Sequence, residues 1–387
     1  MTLISPDERF MPYDPHSRSA LLFWMAESLN ISPSLEKDAR DKYHAVGNWL
    51  GAPGSSLETY DLHIFAQGSF ALGTVVRPCT EGGEFDIDLV QIANLLPVAL
   101  TSEAYRLLVG ARLREHGTYS KILKENDRCW TLKYAGNFHL DVVPARPNQQ
   151  KNPPLLSVQI TNRKTQGWSE SNPQGFEAWF KLQNAKVLQW LQERVAKSFS
   201  LSIDDVPEHK VRTPLQQTIQ LLKRHRDLYF QNHQESCPAS ILLTTLAAQC
   251  HIGHQDLAEC LEHILNTMNK GIHQFNDVWY VRNPSMPQEN LARKWNENPA
   301  HKTRYDQWHA QAQKDFLSSY RDLQEYATSL KAALGDSVVQ KSLQQYGRTA
   351  SQSRAQQISH ASLLTGLAVT PSAASILLKP HTFYGKK

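Results

Sequence analysis

The stretch Glu84-Phe85-Asp86-Ile87-Asp88-Leu89 decides the fold, because it reads as a β-strand with two carboxylates on one face. Side chains two residues apart on a strand point to the same side, so Asp86 and Asp88 project together. The apolar residues between and beside them face the other way. Neighbouring carboxylates repel each other and raise each other's pKa. We therefore expect either a half-exposed strand edge or a strand that holds a cation.

A Gly-Ser turn lies upstream of this strand, in the segment Gln67-Gly68-Ser69-Phe70. Gly68 has no Cβ, so its backbone can approach a phosphate closely. The Ser69 hydroxyl and the free N–H groups of such a turn can donate hydrogen bonds to an anion. Gln67, Gly68 and Ser69 are therefore candidate nucleotide-binding residues, although a glycine alone is more often a plain turn.

A third carboxylate, Asp141, lies on a second predicted strand. Residues 129–135 and 138–145 read as two strands joined by Gly136-Asn137, which is a strong hairpin signal. Three aspartates beside a Gly-Ser turn suit phosphoryl transfer with two Mg²⁺ ions about 4 Å apart. Magnesium prefers carboxylate, water and phosphate oxygens, and Mn²⁺ is a possible substitute. The predicted catalytic and metal-binding residues are thus Asp86, Asp88 and Asp141.

Composition bounds the class of protein. The chain has 387 residues and a net charge of +4, from 41 basic and 37 acidic residues. This mild charge gives no indication of a nucleic-acid groove. We find neither a signal peptide nor an apolar run long enough to span a membrane. The five cysteines include no CxxC pair, so reduced thiols are expected. These features predict a soluble, cytoplasmic protein that does not bind membranes.

One cluster of metal-ligand types stands apart from the aspartates. Cys250, His251, His254 and Cys260 lie within eleven residues of sequence. A zinc site can be drawn through them, but their spacing matches no standard finger. The stretch also reads as a helix followed by a short acidic helix. We favour that structural interpretation and keep zinc as the alternative.

The pattern of elements changes along the chain and predicts an α+β fold. Strands and helices mix in residues 1–165, which we take as a core domain that includes an N-terminal spanning helix. Residues 166–338 read as a helical domain that closes a cleft, with one helix expected over 315–334. The stretch 146–173 looks like a long connection. Residues 339–387 are rich in Ser, Ala and Gln and predict a flexible tail.

Taken together, these residues resemble the polymerase-β-type nucleotidyltransferases, which share the Gly-Ser turn followed by Asp-x-Asp and a third aspartate. Further segments in the same order narrow the resemblance to the bacterial CD-NTases, which are similar to cyclic GMP–AMP synthase and the oligoadenylate synthases. The segments that carry it are Glu84–Val90, Leu140–Pro144, Ser171–Pro173 with Trp179-Phe180, Leu221–Asp227 and Asn290–Trp295.

The resemblance implies a fold and an activity. The fold would be a polymerase-β-like nucleotidyltransferase core, a mixed sheet with flanking helices, joined to a C-terminal helical domain. The enzyme would build a cyclic di- or trinucleotide from nucleoside triphosphates, ATP among them, and Lys223 and Ser240 would steady the triphosphate. In this family the product activates a separate effector in CBASS antiviral defence. An accessory protein can bind the C-terminal tail, here Lys379–Gly385.

Two other functions remain open from the sequence. The first is a linear oligonucleotide synthase or an enzyme that transfers AMP. The second is a non-catalytic nucleotide-binding scaffold, which three mutually repelling carboxylates disfavour. The bases used, the linkage and the ring size are not predicted.

Overall fold

The computed structural model describes most of the chain in eight stretches. These are residues 17–80, 83–134, 138–150, 152–199, 211–355, 360–362, 366–368 and 375–377. The predicted Gly136-Asn137 turn and the C-terminal segment 379–385 lie outside them.

Seven strands form one mixed sheet: β1 (Leu62–Gln67), β2 (Phe85–Ala93), β3 (Leu123–Glu125), β4 (Trp130–Tyr134), β5 (Phe138–Pro147), β6 (Val158–Asn162) and β7 (Gly167–Ser171). The main path runs β1-β2-β5-β4-β3, while β6 pairs with β5 and β7 pairs with β6. Strands β2 and β5 are parallel, and the other pairs of this sheet are antiparallel. The parallel pair lies at the centre and brings the two predicted aspartate strands side by side.

Helices flank the sheet and build the second half. They are α1 (Arg18–Ser28), α2 (Pro33–Leu50), α3 (Gly68–Ala71), α4 (Ser102–Arg114), α5 (Tyr119–Ile122), α6 (Pro173–Phe199), α7 (Pro214–Tyr229), α8 (Ser240–Cys250), α9 (Leu257–Thr267), α10 (Arg293–Glu297), α11 (Pro299–Leu317), α12 (Leu323–Ser329), α13 (Lys331–Leu334) and α14 (Asp336–Ala355).

The remaining strands of the described stretches are short: β8 (His273–Phe275), β9 (Val278–Tyr280), β10 (Arg282–Asn283), β11 (Met286–Asn290), β12 (His360–Ser362), β13 (Gly366–Ala368) and β14 (Ser375–Leu377). The first two pair as one hairpin and the next two as another, and the last three form a small antiparallel sheet.

Local sequence explains where the long helices begin. Ser32 caps α2 by accepting a hydrogen bond from the Leu35 N–H, and a proline occupies the first turn. Thr213 and Gln216 form a reciprocal capping box at the start of α7, again with a proline in the first turn. Both starts agree with the sequence.

Of the hydrophobic cores within the described stretches, the two largest hold the sheet and the helical half together. One lies between the sheet and the helices α2 and α4, and includes Ile87, Leu89, Leu140 and Trp130. The other surrounds α7 in the helical half and takes in the whole apolar face of α1. The fold-class prediction is confirmed: a mixed sheet with flanking helices is joined to a largely helical half.

Several element predictions were wrong. The stretch 146–173 contains β6 and β7, because Val158 and Ile160 are buried against the sheet. The helix expected over 315–334 is interrupted, since α11 ends at Leu317 and Asp322 caps a new helix. The flexible tail does not begin at residue 339, because α14 extends to Ala355.

Two further observations concern membrane-spanning helices and cysteines. No helix in the described stretches is long and apolar enough to cross a membrane. All five cysteines are free thiols, in agreement with the absence of a disulfide framework.

Candidate active site

The three predicted aspartates lie on the central parallel pair of strands. In the register of β2 and β5, Asp88 is opposite Asp141 and Asp86 is opposite His139. Their alternation along each strand places them on the face away from the buried apolar residues. The pairing of the two strands therefore assembles three carboxylates at one place on the sheet.

Gly68 brings the backbone of α3 against this carboxylate group. Its φ is +63°, a left-handed conformation that glycine adopts without strain. A Cβ built on Gly68 would lie 2.5 Å from Asp88 Oδ2. Gln67, the preceding residue, is paired in register with Asp88. The Gly-Ser turn and the aspartates therefore form one site, and a side chain at position 68 would displace the Asp88 carboxylate.

The electrostatics of Asp88 reflect this crowding. Burial, followed by the charges of Asp141 and Asp86, raises the pKa of its carboxyl to about 7. Each of these causes disfavours an additional negative charge. A cation bound at this place would offset that cost.

His139 is a site residue that sequence reasoning missed. Its Nε2 lies 2.7 Å from Asp86 Oδ1, and its Nδ1 lies 3.4 Å from Glu84 Oε2. The hydrogen bond with Asp86 is the main reason that the pKa of His139 is raised to about 9. The sequence could have indicated it, because His139 lies two residues before Asp141 and therefore shares its face of the strand.

Asp141 is held by its neighbour on β4. Its Oδ1 accepts a short hydrogen bond from Thr131 Oγ1, and Thr131 in turn accepts one from Asn126 Nδ2 at 2.6 Å. Thr131 and Asp141 are opposite each other in the antiparallel register. This contact fixes one carboxylate oxygen of Asp141.

A cleft of about 530 Å³ opens between the sheet and the helical half. All the sequence-predicted residues line it except Asp141, which is adjacent to Asp88 on the neighbouring strand. The lining residues from that prediction are Gln67, Gly68, Ser69, Asp86, Asp88, Lys223 and Ser240. This volume is within the usual range for sites of small molecules.

Lys223 and Ser240 contribute to the cleft in different ways. The Lys223 ammonium is buried and donates to Thr74 O at 3.1 Å and to Thr74 Oγ1 at 3.0 Å. Ser240, at the first turn of α8, accepts a hydrogen bond from Arg226 Nη1 at 2.9 Å. Arg226 also lines the cleft, and no sequence pattern distinguished it from its basic neighbours.

The chain between α3 and β2 is tied to α7. Side chains on α7 donate to backbone oxygens of this segment: Gln216 Nε2 to Leu72 O at 2.9 Å, Gln220 Nε2 to Val75 O at 2.7 Å and Arg224 Nη2 to Arg77 O at 2.6 Å. These donors recur every four residues along one helix face. The helical half thus positions the segment that follows the Gly-Ser turn.

This arrangement suits chemistry on an anionic, phosphate-bearing molecule. It combines three carboxylates, which can hold hard divalent cations, with a glycine turn and with the basic side chains of Lys223 and Arg226, which line the same cleft. The first helical turn of α8 lacks a side-chain cap, and its N–H groups favour anions.

Comparison with known proteins identifies relatives over the whole fold. Residues 20–184 match the family described as Second Messenger Oligonucleotide or Dinucleotide Synthetase domain. A c-di-GMP synthase of Roseivirga ehrenbergii is 31% identical over 372 residues, which cover 93% of this chain and 95% of the relative. The cyclic dinucleotide synthase CdnG of Bradyrhizobium diazoefficiens is 26% identical over 404 residues, which cover 96% of this chain and 92% of the relative.

Solved structures share the fold. The CD-NTase CdnG of Bradyrhizobium diazoefficiens, in complex with GTP, superposes with a TM-score of 0.70 at 24% identity and covers 86% of this chain and 98% of that one. CdnC of Escherichia coli MS115-1, in a complex with HORMA-deltaN, has a TM-score of 0.59 at 15% identity. The match covers 83% of this chain and 98% of CdnC.

Proposed function

The chain belongs to the bacterial CD-NTase family of nucleotidyltransferases, and we propose that it makes a cyclic dinucleotide from nucleoside triphosphates in a Mg²⁺-dependent reaction. A ribose hydroxyl of one nucleotide loses its proton to solvent and attacks the α-phosphorus of another. The new P–O bond forms as the bond to the oxygen that bridges to the β-phosphate breaks, and pyrophosphate leaves. A second transfer, from a ribose hydroxyl of the other nucleotide to the remaining α-phosphorus, releases a second pyrophosphate and closes the ring.

One observation carries the proposal. Asp86, Asp88 and Asp141 are assembled by the register of two parallel strands, and Gly68 brings a backbone turn against Asp88. A carboxylate group of this kind is costly unless a cation or a proton neutralises it. Its position beside a cleft lined by basic side chains supports a metal–triphosphate complex as the occupant.

The residues fit Mg²⁺ as the required ion. The three carboxylates are hard oxygen donors, which this cation prefers. Asp86 and Asp88 would hold both ions and Asp141 would hold one of them, with Mn²⁺ a possible substitute. Bound Mg²⁺ lowers the pKa of the attacking hydroxyl and neutralises charge on the phosphates.

The chain's own residues orient the reactants. Gly68 and Ser69 lie at the turn where backbone N–H groups can meet the β- and γ-phosphates. Arg226, whose guanidinium donates to Ser240 Oγ, would provide positive charge in the cleft, and the buried Lys223 would add to it in its protonated form. We assign Asp141 to the attacking hydroxyl, as the family resemblance implies, and Thr131 keeps its carboxylate oriented.

The relatives favour a guanine-containing dinucleotide over a larger ring. The Roseivirga relative is a c-di-GMP synthase, the Bradyrhizobium relative is a cyclic dinucleotide synthase, and CdnG was solved with GTP. We infer that GTP is one of the substrates here, with ATP as the other nucleotide to be tested.

The biological role follows from the family. We infer that the product signals phage infection to a separate effector, as in CBASS defence, and that the enzyme acts in the cytoplasm, where nucleoside triphosphates are available. A HORMA protein accompanies CdnC in its solved complex. We keep the prediction that an accessory protein binds the C-terminal segment of this chain, and the CdnC complex does not test it.

The test is incubation of the protein with labelled ATP, GTP, CTP and UTP in Mg²⁺, then phosphatase treatment and mass spectrometry. We expect a phosphatase-resistant cyclic dinucleotide that contains guanine. Asp86→Asn/Asp88→Asn should abolish it, whereas Asp127→Asn, at a surface carboxylate partnered by Lys164, should leave it unchanged.

Other outcomes discriminate among the alternatives. A phosphatase-sensitive oligomer would indicate a linear synthase, and label on a protein or small molecule would indicate AMP transfer. Tight nucleotide binding that is indifferent to Mg²⁺, with no product from any mixture, would support a non-catalytic scaffold and overturn the proposal.

A further inference from the structure

A cluster of nitrogen and sulfur ligands lies between α8 and α9, outside the lining of the cleft. His251 follows the last residue of α8, His254 is in the connecting loop, and Cys260 is in the second turn of α9. One ligand atom from each residue lies within 4.8 Å of the other two. The fold therefore gathers three residues whose sequence spacing matches no standard finger.

One pair of ligand atoms already has the separation that a tetrahedral zinc site requires. Cys260 Sγ lies 3.6 Å from His251 Nδ1. Zn–S and Zn–N bonds of about 2.3 and 2.05 Å at a tetrahedral angle place the two ligand atoms about 3.6 Å apart. The third ligand belongs to His254, which is partly exposed in a loop. Its ligand atom lies within 4.8 Å of those of the other two residues, so His254 would have to move closer when the metal binds.

The cluster contains a ring nitrogen with no hydrogen-bond partner. His254 Nδ1 is buried, and within the described stretches it has neither a donor nor an acceptor. Buried polar atoms in native proteins are normally satisfied. An imidazole nitrogen of this kind is a suitable ligand atom for zinc.

The two other possible ligands nearby, His263 and Cys250, already make hydrogen bonds. His263 packs its ring 4.7 Å from the ring of His254, and its Nε2 is paired with the Cys250 carbonyl at 3.0 Å. The Cys250 thiol donates to Ala247 O at 3.3 Å. The ligand set is therefore two histidines and one cysteine, and the fourth tetrahedral position is left for water.

We propose that His251, His254 and Cys260 form a Zn²⁺ site that ties the C-terminal end of α8 to α9. Mixed imidazole and thiolate ligands select zinc over Mg²⁺, which prefers oxygen. Binding releases the thiol proton of Cys260 to solvent. The opposite end of α8 begins at Ser240 in the cleft, so the metal would stabilise a helix that forms part of the nucleotide site.

The test measures metal in the full-length protein, expressed without a polyhistidine tag. We expect about one zinc per chain by mass spectrometry of the metal. After replacement with Co²⁺, a thiolate-to-cobalt charge-transfer band should appear, together with the visible absorption of tetrahedral cobalt. His254→Gln should reduce the zinc content at least tenfold, and Cys260→Ser should remove the charge-transfer band.

Two controls locate the metal. Cys250→Ser removes a thiol outside the ligand set and should leave both signals unchanged. Asp86→Asn/Asp88→Asn removes the cleft carboxylates and should also retain zinc, which keeps this outcome independent of the proposed catalytic function. Folded protein, verified by circular dichroism, that contains no zinc and gives no cobalt band would overturn the proposal. An equal zinc content in the His254→Gln variant and in the unchanged protein would also overturn the proposal.

Discussion

At Gly68 the backbone of the cleft meets a carboxylate directly. Asp88 Oδ2 occupies the space that a side chain on Gly68 would need, and the residue has a positive φ. Two separate costs therefore oppose any other amino acid here: backbone strain of about 1–2 kcal/mol, and displacement of Asp88. Only the displacement of Asp88 changes the site itself. A control glycine that has backbone strain but no such contact can therefore separate the two costs.

We predict that Gly68→Ala lowers kcat/KM for cyclic product about 100-fold, because displacing a reacting group by about 1 Å has an effect of this size. Gly54→Ala is the matched control. Gly54 also has a positive φ, of 76°, but no atom lies within 4 Å of the position that a Cβ would take there. The control should lose similar stability and keep its activity. Equal activities of the two variants would contradict a role for the Gly68–Asp88 contact.

Lys223 gives a prediction on pH and stability. Burial, and then the charge of Arg226, lowers the pKa of its ammonium from 10.5 to about 7. Between those two values the unfolded chain binds a proton that the folded chain does not. The free energy of unfolding of the unchanged protein should therefore rise with pH relative to Lys223→Met, which lacks the group.

Urea unfolding at about pH 7 and about pH 9.5 measures this difference. Any stability that Lys223→Met gains at the lower pH by removing a buried charge should shrink at the higher pH. The exposed substitution Lys341→Met is the control for loss of one lysine. Parallel pH profiles of the unchanged protein and Lys223→Met would show that the ammonium keeps its ordinary pKa.

These residues also show how far the site could be predicted. Asp86 and Asp88 follow from alternation within one strand, and Asp141 from a hairpin signal. The contact of His139 with Asp86 depends on the register of β2 against β5, which are about fifty residues apart in sequence. No local pattern encodes that register. Arg226 was indistinguishable from its neighbours for the same reason, because only packing decides which basic side chain reaches the cleft.

At the scale of elements, α14 is the largest departure from the sequence prediction. Its composition is polar, but Val338, Val339 and Ser342 form a narrow buried stripe. Ser342 Oγ pairs with Ser28 Oγ of α1 at 3.1 Å. A stripe so narrow is hard to distinguish from a solvated tail. Strand β7 escaped prediction similarly, because all five of its residues are only half buried.

We predict that truncation after Gly335, which removes α14, costs about 3–6 kcal/mol, the burial of two valine side chains. Truncation after Ala355 keeps α14 and should leave the free energy of unfolding unchanged. Urea unfolding followed by circular dichroism compares the two with the full chain. Equal stability of the two truncated chains would mean that the packing of α14 on α1 contributes nothing.

At the scale of the whole molecule, α7 connects the helical half to the half that contains the sheet. Its side chains hold the backbone between α3 and β2, so the position of the Gly-Ser turn depends on a helix of the other core. Gln220 is central to this connection. It is fully buried, and its Nε2 donates both to Val75 O and to Asn30 Oδ1, at 2.7 and 2.8 Å.

We predict that Gln220→Leu lowers the free energy of unfolding by about 1–3 kcal/mol, because two buried acceptors lose their donor. It should also raise the KM for nucleoside triphosphates, since the segment that follows Ser69 is no longer fixed against α7. Gln231→Leu, at an exposed position just beyond α7, controls for the change of side chain. Urea unfolding and steady-state kinetics measure the two effects. A variant that loses stability at unchanged KM would show that α7 supports the fold without positioning the turn.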